Sequence, residues 1–454
     1  MNHSARNQTT PSNNTIPQAM LILLNLIALS FFILILPNLR KHKKPPPHRK
    51  PTPVQPLHPP PLPVQAGQDL WPNLVPEICA KTSGGDSISW SGKEVLKTQD
   101  CNFCTRPSLV GQQRLSYNRI DVIFAPHNEC FRELKILCVV HLFSSKKVQY
   151  FYPIRREEDS KMIEKISSLS SASEAVNLSE LLGSYQLYHL LERIFKEMDE
   201  FYDEIISDHL DPNKPKYEHK DFVDVLLQLK EERRFSFDLT LDHIKAVLMN
   251  IIVAGTDTSA AIAVWTMTEL MKNPSIMKKL QDELRSVLKD KSFVEETDVQ
   301  KLEFFQAVVK ETFRLHPATP LLVAHEAVQK CTVQGYDVLP ETSVFINAWA
   351  IGSDPPSWRE PELFMPERFL GNSINFTGQD FEFIPFGAGR RICPGMLTGI
   401  AGLELALANL LHTFDWKVPT DVHEEDIDYD GVPGVTMHKK NPLCLVATKR
   451  THDT

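Results

Sequence analysis

A glycine-rich loop that ends in a cysteine constrains this chain more than any other segment. Residues 386–395 read FGAGRRICPG, and the three glycines give the backbone unusual freedom. Cys393 precedes a proline and an apolar stretch from about Leu397 to His412, which predicts that the cysteine lies at the start of a helix. The positive end of that helix, together with Arg390 and Arg391, favours a thiolate. A thiolate without a nearby base is a better metal ligand than a hydrolytic nucleophile, and it is one of the few protein ligands for haem iron.

One apolar run at the N-terminus has the length of a membrane span. Residues 19–39 contain few polar side chains, and the stretch from Ala19 to Leu36 would be roughly 27 Å long as a helix. Basic residues follow it from Arg40 to Lys44, which by the positive-inside rule keeps the following chain in the cytosol. We predict a lumenal tail over residues 1–18 and a signal-anchor transmembrane helix over 19–39. A cleaved signal peptide is the competing interpretation, although no small-residue cleavage site follows the run.

Prolines mark the boundary between this segment and the body of the chain. Ten prolines lie between Pro45 and Pro63, and each restricts its own backbone and the residue before it. Residues 40–65 are therefore predicted to form a basic, Pro-rich linker that acts as a stiff spacer ahead of a catalytic domain over residues 66–454. A PxxP ligand for an SH3-like partner is the alternative interpretation of the same prolines.

The composition disfavours several classes of protein. With 42% hydrophobic and 23% charged residues, the chain is typical of neither a disordered protein nor a multi-span membrane protein. The net charge of −8 predicts no nucleic-acid partner. Eight scattered cysteines indicate a reducing compartment. Cys101 and Cys104 form a C-x-x-C pair that we interpret as two ordinary thiols, with a redox pair or half a zinc site as the alternatives.

Two predicted helices carry unusual polar residues. The longer runs from about Asp238 to Lys272 and ends before an Asn-Pro pair. Its centre, residues 254–259, reads AGTDTS, and small polar residues of this kind loosen a helix. They form either a packing notch or a groove that presents a hydroxyl and a carboxylate. The second helix, from Glu303 to His316, places Glu311 and Arg314 on one face, where alone they would be a surface salt bridge.

Four motifs together resemble one family. The loop at 386–395 matches F-x-x-G-x-R-x-C-x-G, Glu311-x-x-Arg314 matches E-x-x-R, residues 366–369 match P-E-R-F, and residues 254–259 match A-G-x-D-T-S/T. They occur in the expected order and spacing. The chain therefore resembles the cytochrome P450 haem-thiolate monooxygenases in their plant microsomal form. This resemblance implies a mainly α fold with small β-sheets (α+β), arranged as a single large catalytic domain behind the transmembrane helix.

The resemblance implies haem b (iron protoporphyrin IX) as the cofactor. Cys393 would be the proximal iron ligand, Phe386 would pack beside its sulfur, and Arg391 would bind a haem propionate. Lysine at position 135 and histidine at position 325 replace arginines of the family pattern, and Phe131 replaces a tryptophan, so weaker haem binding is expected. The remaining implied cofactor contacts are Gly389, Gly395, Arg132, Lys135 and His325.

On the other side of the cofactor, the resemblance implies Thr258 and Asp257 as catalytic residues. Thr258 would hydrogen-bond the bound oxygen and Asp257 would relay protons towards it. Glu311, Arg314 and Arg368 would form a buried structural triad. The implied walls of the substrate pocket are residues 114–125, 251–254, 320–323 and 434–436.

The implied reaction inserts one oxygen atom of O2 into a small lipophilic substrate of plant specialised metabolism, such as an aldoxime. The sequence contains no Gly-rich dinucleotide or flavin motif, so electrons from NADPH would arrive through a separate NADPH–haemoprotein reductase. Arg390 would contact that reductase, and cytochrome b5 is a second candidate donor. The implied location is the endoplasmic reticulum membrane, with the catalytic domain in the cytosol.

Two other functions stay open. A non-oxygenating haem-thiolate isomerase or dehydratase would keep the cofactor, although the presence of Asp257 and Thr258 disfavours it. A truncated, membrane-anchored homologue without activity is the second, because the sequence between Asn177 and about Glu192 lacks several helices that the family has there. Such a gap is typical of a truncated or mis-spliced product.

Overall fold

The computed structural model describes residues 88–450, except 109, 172–174, 178–190, 213–219, 290, 421 and 433. The predicted lumenal tail, transmembrane helix and Pro-rich linker lie outside the described residues. The interior of the predicted deletion site also lies outside them, in residues 178–190.

Helices dominate the described part of the chain, as the helical periodicity predicts. Short π-helical turns extend two of them, at Glu94–Thr98 and Cys138–Leu142, and 3₁₀ turns lie at Pro366–Phe369, Gly389–Arg391 and Glu424–Asp426. The α-helices are α1 (Ile88–Lys93), α2 (Asp100–Phe103), α3 (Val110–Leu115), α4 (Glu129–Leu137), α5 (Ser145–Tyr150), α6 (Tyr152–Ser171), α7 (Leu191–Leu210), α8 (Phe222–Glu232), α9 (Leu241–Lys272), α10 (Pro274–Leu288), α11 (Glu296–Val299), α12 (Glu303–Leu315), α13 (Ala348–Gly352) and α14 (Met396–Thr413).

The strands form small antiparallel sheets. The strands are β1 (Ala175–Asn177), β2 (His325–Glu326), β3 (Cys331–Val333), β4 (Tyr336–Val338), β5 (Ser343–Val344), β6 (Phe414–Lys417), β7 (Gly431–Val432), β8 (His438–Lys439) and β9 (Cys444–Lys449). One sheet has three strands in the order β1-β9-β6, and the pairs β2-β5, β3-β4 and β7-β8 form two-stranded sheets. The first sheet has Asn177 opposite Cys444 and Phe414 opposite Lys449.

Local signals explain the bounds of the longest helix, α9. The Thr240 hydroxyl accepts a hydrogen bond from the backbone N–H of His243 at 3.4 Å, which caps the first turn. At the other end, Pro274 cannot continue the hydrogen-bond ladder and instead begins α10. The predicted helix over Asp238–Lys272 is therefore confirmed, with its start three residues later.

Two hydrophobic cores share α9. Its N-terminal half buries residues such as Ile244 in a core with α4, α7 and α8. Its C-terminal half buries residues such as Met267 in a second core with α10, α12 and α14. Between the halves, Gly255 and Thr256 are exposed although the helix is central. The polar centre of α9 therefore borders a groove, which is one of the two predicted interpretations.

The apolar helix predicted after the cysteine loop is α14, and it begins one residue before the predicted Leu397. It packs across α9 through small residues, because a Cβ added at Gly399 would lie 4.0 Å from the Ser259 hydroxyl. Among the described residues, α9 and α14 are the helices long and apolar enough to cross a membrane. Both contribute to the cores, so their hydrophobicity is accounted for by packing.

A buried charge triad joins α12 to the segment after it. The Glu311 carboxylate accepts hydrogen bonds from Arg314 Nε and Nη2, both at 2.8 Å, and from Arg368 Nε at 3.0 Å. Arg314 also donates to the carbonyl oxygens of Gly352 and Pro361. Because Glu311 and Arg314 are at most 1% exposed, the surface interpretation of this pair is wrong and the buried triad is confirmed.

Replacing Glu311 by glutamine should lower the free energy of unfolding by roughly 3–5 kcal/mol, because two buried guanidinium groups lose their anion. Chemical denaturation of the purified protein measures this loss. The matched control is Glu367→Gln, which breaks an exposed pair with Lys279 (2.6 Å) and should cost less than about 1 kcal/mol. Equal losses in the two variants would contradict a structural role for the triad.

Candidate functional site

The cysteine loop is folded tightly back on itself. The backbone N–H of Cys393 donates to the Phe386 carbonyl at 3.0 Å, which closes the loop. Gly387 and Gly389 have φ angles of 72° and 67°, a region that favours glycine. Gly389 also lies against the turn at Glu94–Thr98, because a Cβ added there would stand 2.1 Å from the Leu96 carbonyl oxygen. The loop therefore holds the cysteine at a fixed place in front of α14.

Opposing effects act on the Cys393 thiol. Burial raises its pKa, whereas hydrogen bonds from the backbone N–H groups of Gly395 and Met396 and the charge of Lys135 lower it. The Lys135 ammonium also donates to the carbonyl oxygens of Arg390 and Ile392. Burial is the largest of these effects and the pKa of the Cys393 thiol is raised on balance, so the N–H groups at the start of α14 offset only part of the cost of a thiolate.

The prediction that Arg390 and Arg391 favour the thiolate of Cys393 is wrong, because both side chains bind other groups. Arg390 pairs with the Asp100 carboxylate at 2.8 Å. Arg391 donates to the carbonyl oxygens of Cys104 and Ala125, each at 2.6 Å. The cation that lowers the pKa of the Cys393 thiol is Lys135 on α4.

Arg391 is a buried cation with spare hydrogen-bonding capacity. Its guanidinium lies 3.7 Å from the centre of the Phe131 ring. Burial lowers its pKa to about 10. Its Nη1 is buried and has no hydrogen-bond partner among the described residues. A buried donor of this kind is costly unless a ligand satisfies it.

A second buried guanidinium, that of Arg106, was missed at the level of sequence. It donates to the carbonyl oxygens of Ile123 (3.1 Å), Val323 (2.6 Å) and Ala324 (2.9 Å). Burial and then repulsion from Arg391 lower its pKa to about 9. The Arg-Pro pair at 106–107 belongs to no recognisable motif. Arg106 is therefore identified only by its burial near Arg391 in the structure.

The other predicted cofactor contacts occupy different environments. His325 is 4% exposed, and its Nδ1 lies 2.7 Å from the Phe103 carbonyl, so Nδ1 carries the proton in this bond. Burial, followed by Arg106 and Arg391, lowers the pKa of His325 to about 3. Arg132 is exposed on α4, and the structure does not bring it into the buried cluster.

The two predicted catalytic side chains on α9 both have partners. The Thr258 hydroxyl donates to the Ala254 carbonyl at 2.7 Å, one turn earlier in the helix. The Asp257 carboxylate pairs with His438 on β8, with 2.9 Å between Oδ1 and Nε2. Sequence reasoning did not single out His438, because 181 residues separate it from Asp257 and no motif contains it.

The polar centre of α9 and the end of the cysteine loop each face open space. A Cβ added at Gly255 or at Gly395 would meet no heavy atom within 4 Å. Thr398 on α14 also has a buried hydroxyl without a described partner. The site therefore combines open space beside the centre of α9, a thiol at the start of α14 and buried cationic donors.

Comparison with known proteins identifies the family. The family model described as Cytochrome P450 matches residues 184–446. The chain belongs to the cytochrome P450 family. Cytochrome P450 71AP13 from Prunus mume is 37% identical over 511 residues, covering 96% of this chain and 98% of that relative. The 5-OH-xanthotoxin synthase of Ammi majus is 41% identical over 414 residues, covering 78% of this chain and 81% of that enzyme.

Solved P450 structures have the same fold. A structure of a zebra fish cytochrome P450 with abiraterone has a TM-score of 0.69 and 25% sequence identity, and the match covers 80% of this chain and 92% of that one. The predicted fold class is therefore confirmed. As a plant P450 of the A type, the chain is a haem-dependent oxidoreductase, a monooxygenase that uses O2 and a lipophilic substrate in plant metabolism.

The residues of the site fit haem. Haem iron would accept the Cys393 thiolate as a ligand, and within the described part of the chain this sulfur is hydrogen-bonded by backbone N–H groups and by no side chain. The two haem propionates are anions, and the described hydrogen bonds of Arg106 and Arg391 all go to backbone carbonyls, although the nearby Asp121 carboxylate acts to raise the pKa of both guanidinium groups against the larger effect of burial. The unpartnered Nη1 of Arg391 matches one of these anions.

Replacing Gly389 by alanine should lower the free energy of unfolding by about 3–5 kcal/mol, through positive-φ strain together with the clash against Leu96. Chemical denaturation and the haem content of the purified protein measure the effect. Gly335→Ala is the matched control, because Gly335 has a φ of 80° but open space around it. If the loss of unfolding free energy is no larger than in this control, the turn at Glu94–Thr98 moves aside for the added methyl group without a measurable cost.

Proposed function

We propose that this P450 is a single-pass protein of the endoplasmic reticulum membrane whose cytosolic domain oxygenates a small lipophilic substrate. NADPH would supply the electrons through a separate reductase, because the sequence contains no flavin or dinucleotide motif. The observations that carry the proposal are the closed loop that holds Cys393 at the start of α14 and the unpartnered, buried Nη1 of Arg391 from the same loop. The apolar run at residues 19–39 and the cationic residues after it support the membrane anchor.

Cys393 is proposed as the proximal ligand of the haem. The bound haem supplies the iron centre at which O2 is activated. The N–H groups of Gly395 and Met396 would moderate the charge of the thiolate sulfur. Phe386 packs against Phe313 and Phe376, with ring centres 5.1 Å and 5.5 Å apart, which would screen this side of the sulfur from water.

Arg391 and Arg106 are proposed to bind the haem propionates. Each is already oriented by backbone carbonyls, so a carboxylate would find its donors in place. His325 is neutral at ordinary pH because its pKa is lowered to about 3. It therefore cannot supply the positive charge of the arginine that the family pattern has at this position, and it would instead help to hold Arg106 in place. Lys135 holds the loop carbonyls and acts on the propionates only through its charge.

Thr258 and Asp257 are proposed to control protons on the opposite side of the groove. The Thr258 hydroxyl donates back to the helix, and it could exchange this bond for one to a ligand in the groove. Asp257 lies one residue earlier, next to the exposed residues Gly255 and Thr256, where solvent reaches the helix. A hydroxyl next to a carboxylate is suited to deliver protons in this setting.

The electron donor is proposed to dock near the cysteine loop. Arg390 is about half exposed and Arg132 is exposed on the neighbouring helix α4. Cationic groups at this surface suit the acidic face of a reductase, and cytochrome b5 would present similar charges. The pairing of Arg390 with Asp100 reduces its net contribution, so Arg132 is the stronger contact.

The substrate is proposed to be a small aromatic or aliphatic compound, with aldoximes as one class. Partly buried apolar side chains border the groove on three of the predicted walls, at Ile123, Ile251, Ile252 and Val323. Such walls favour lipophilic ligands. One relative is named 5-OH-xanthotoxin synthase, which supports hydroxylation as the first reaction to test.

A deletion between Asn177 and Glu192 remains part of the proposal. The alignment with the Prunus mume relative runs over 511 residues, whereas this chain has 454. Helix α7 follows directly after the site and packs on one predicted pocket wall, since the Phe195 ring lies 4.0 Å from the Arg114 guanidinium and 5.1 Å from the Tyr117 ring. A truncated homologue without activity is therefore the second candidate function, favoured by the missing residues.

Replacing Cys393 by alanine should abolish the thiolate-type band in the carbon-monoxide difference spectrum of the reduced protein. Cys444→Ala removes an exposed cysteine and should leave the band unchanged. A parent that gives the band and oxidises NADPH with the reductase supports the enzyme, whereas a parent without haem supports the inactive homologue. A band that persists in Cys393→Ala would place the iron ligand elsewhere.

Replacing Arg106 by glutamine should speed haem loss by about ten- to a hundredfold, because a charged hydrogen bond contributes about 1.5–3 kcal/mol. Transfer of haem to an excess of apomyoglobin measures the rate. Arg119→Gln is the matched control, because Arg119 donates to the Phe124 and Arg106 carbonyls of the same loop but is only half-buried. An equal effect of the two variants would assign the loss to the loop and not to the propionates.

A further inference from the structure

The β7–β8 hairpin reaches the centre of α9 through one ion pair. His438 on β8 places Nε2 at 2.9 Å from Oδ1 of Asp257. The Asp257 side chain is 16% exposed and that of His438 is 36% exposed, so the pair lies at the edge of the groove and solvent can reach it. A contact of this kind, which is an ion pair when the imidazole is protonated, is worth about 1 kcal/mol or less (about fivefold in an equilibrium constant), so it can orient a carboxylate and still break.

Other contacts fix the hairpin backbone beside this pair. The Trp265 indole N–H donates to the Met437 carbonyl at 2.9 Å. The Met437 N–H donates to the Ala318 carbonyl at 2.8 Å. On the far side of His438, the Lys439 ammonium binds the Asp428 carbonyl and carboxylate at 2.8 Å and 2.9 Å. His438 therefore has a backbone held on both sides, and its ring position follows from the hairpin.

The turn of the same hairpin is a proposed wall of the substrate pocket. Residues 434–436 are partly buried and lie two positions before His438. A substrate that presses on this turn would shift the strand that carries the histidine. The hairpin thus connects the place where substrate would bind to the carboxylate proposed to relay protons.

We propose that His438 is a positioning residue for Asp257, which it holds in place until substrate displaces the hairpin. In this state Asp257 is engaged by His438 and the Thr258 hydroxyl is engaged by Ala254, so neither is free to deliver a proton. The proposal rests on the proposed function, because it assumes that Asp257 relays protons.

The pair would suppress a wasteful side reaction. Without substrate, NADPH gives two electrons through the reductase to O2, and two protons complete hydrogen peroxide, one released by NADPH and one taken from solvent. The net reaction is NADPH + H⁺ + O2 → NADP⁺ + H2O2. The proton from solvent passes through Asp257, so holding this carboxylate limits peroxide formation until substrate is present.

The experiment measures NADPH oxidation and peroxide formation by the haem-loaded, reductase-reconstituted protein with no substrate added. His438→Phe keeps a ring but removes the donor, and it should raise both rates about fivefold, the upper end for a partly exposed ion pair. His438→Gln keeps a donor at the same place and should stay within about twofold of the parent. The double variant with Asp257→Asn should lose the increase, because the freed carboxylate is gone.

The matched control is Lys440→Met, which removes an exposed side-chain pair with Asp430 (3.5 Å) beside the same hairpin but keeps the backbone contacts that hold His438. It should leave the peroxide rate unchanged. An equal increase in this control, a persistent increase in the double variant, or parental rates in His438→Phe would each overturn the proposal. A parent that takes up haem but cannot use NADPH would instead overturn the proposed function.

Hydrogen–deuterium exchange tests the pairing independently of turnover and of haem. His438→Phe and Asp257→Asn should raise exchange to the same extent in the peptide that covers residues 254–259. Lys440→Met should leave exchange at residues 254–259 at the parental level. Unchanged exchange at 254–259 in both pair variants would overturn the positioning role, whatever the peroxide rates are.

Discussion

The burial of two guanidinium groups is the constraint on which the site depends. Arg106 and Arg391 together bind five backbone carbonyls from three places in the chain, so they tie the loop at 121–125 to the segment before β2 and to the end of α2. Asp121 and Asn250 bind the N–H groups of the same loop, and their side chains hydrogen-bond each other at 3.0 Å. Since burial without a partner is costly for a charge, this arrangement fits an anionic cofactor.

Features that depend on neighbouring residues were predictable from the sequence. Helices α9, α12 and α14 were predicted within three residues of their ends, because caps, prolines and apolar periodicity act within one or two turns. The triad around Glu311 followed from motifs, and the structure confirms it. The N-terminal anchor stays a prediction because it lies outside the described residues. The roles of the site residues also stay predictions, because testing them requires the haem-bound protein.

Features that depend on distant contacts were not predictable. Arg106 binds Val323, 217 residues away in the chain, and nothing near either residue marks this contact. The expectation for Arg390 and Arg391 was wrong for the same reason: proximity in sequence to Cys393 indicated charge stabilisation, but Asp100 and distant carbonyls bind these side chains. His438 was missed because nothing in the sequence around it indicates its contact with the distant Asp257 carboxylate.

The passage of α9 from one hydrophobic core to another has a consequence for cooperativity. Neither core includes residues 254–259, so within the helix the two cores meet only at a stretch of small polar side chains. A cofactor held by Cys393 and Arg391 would add contacts beside the stretch of the helix that neither core covers. We therefore expect the two halves to unfold together when the cofactor is bound, and to unfold less cooperatively without it.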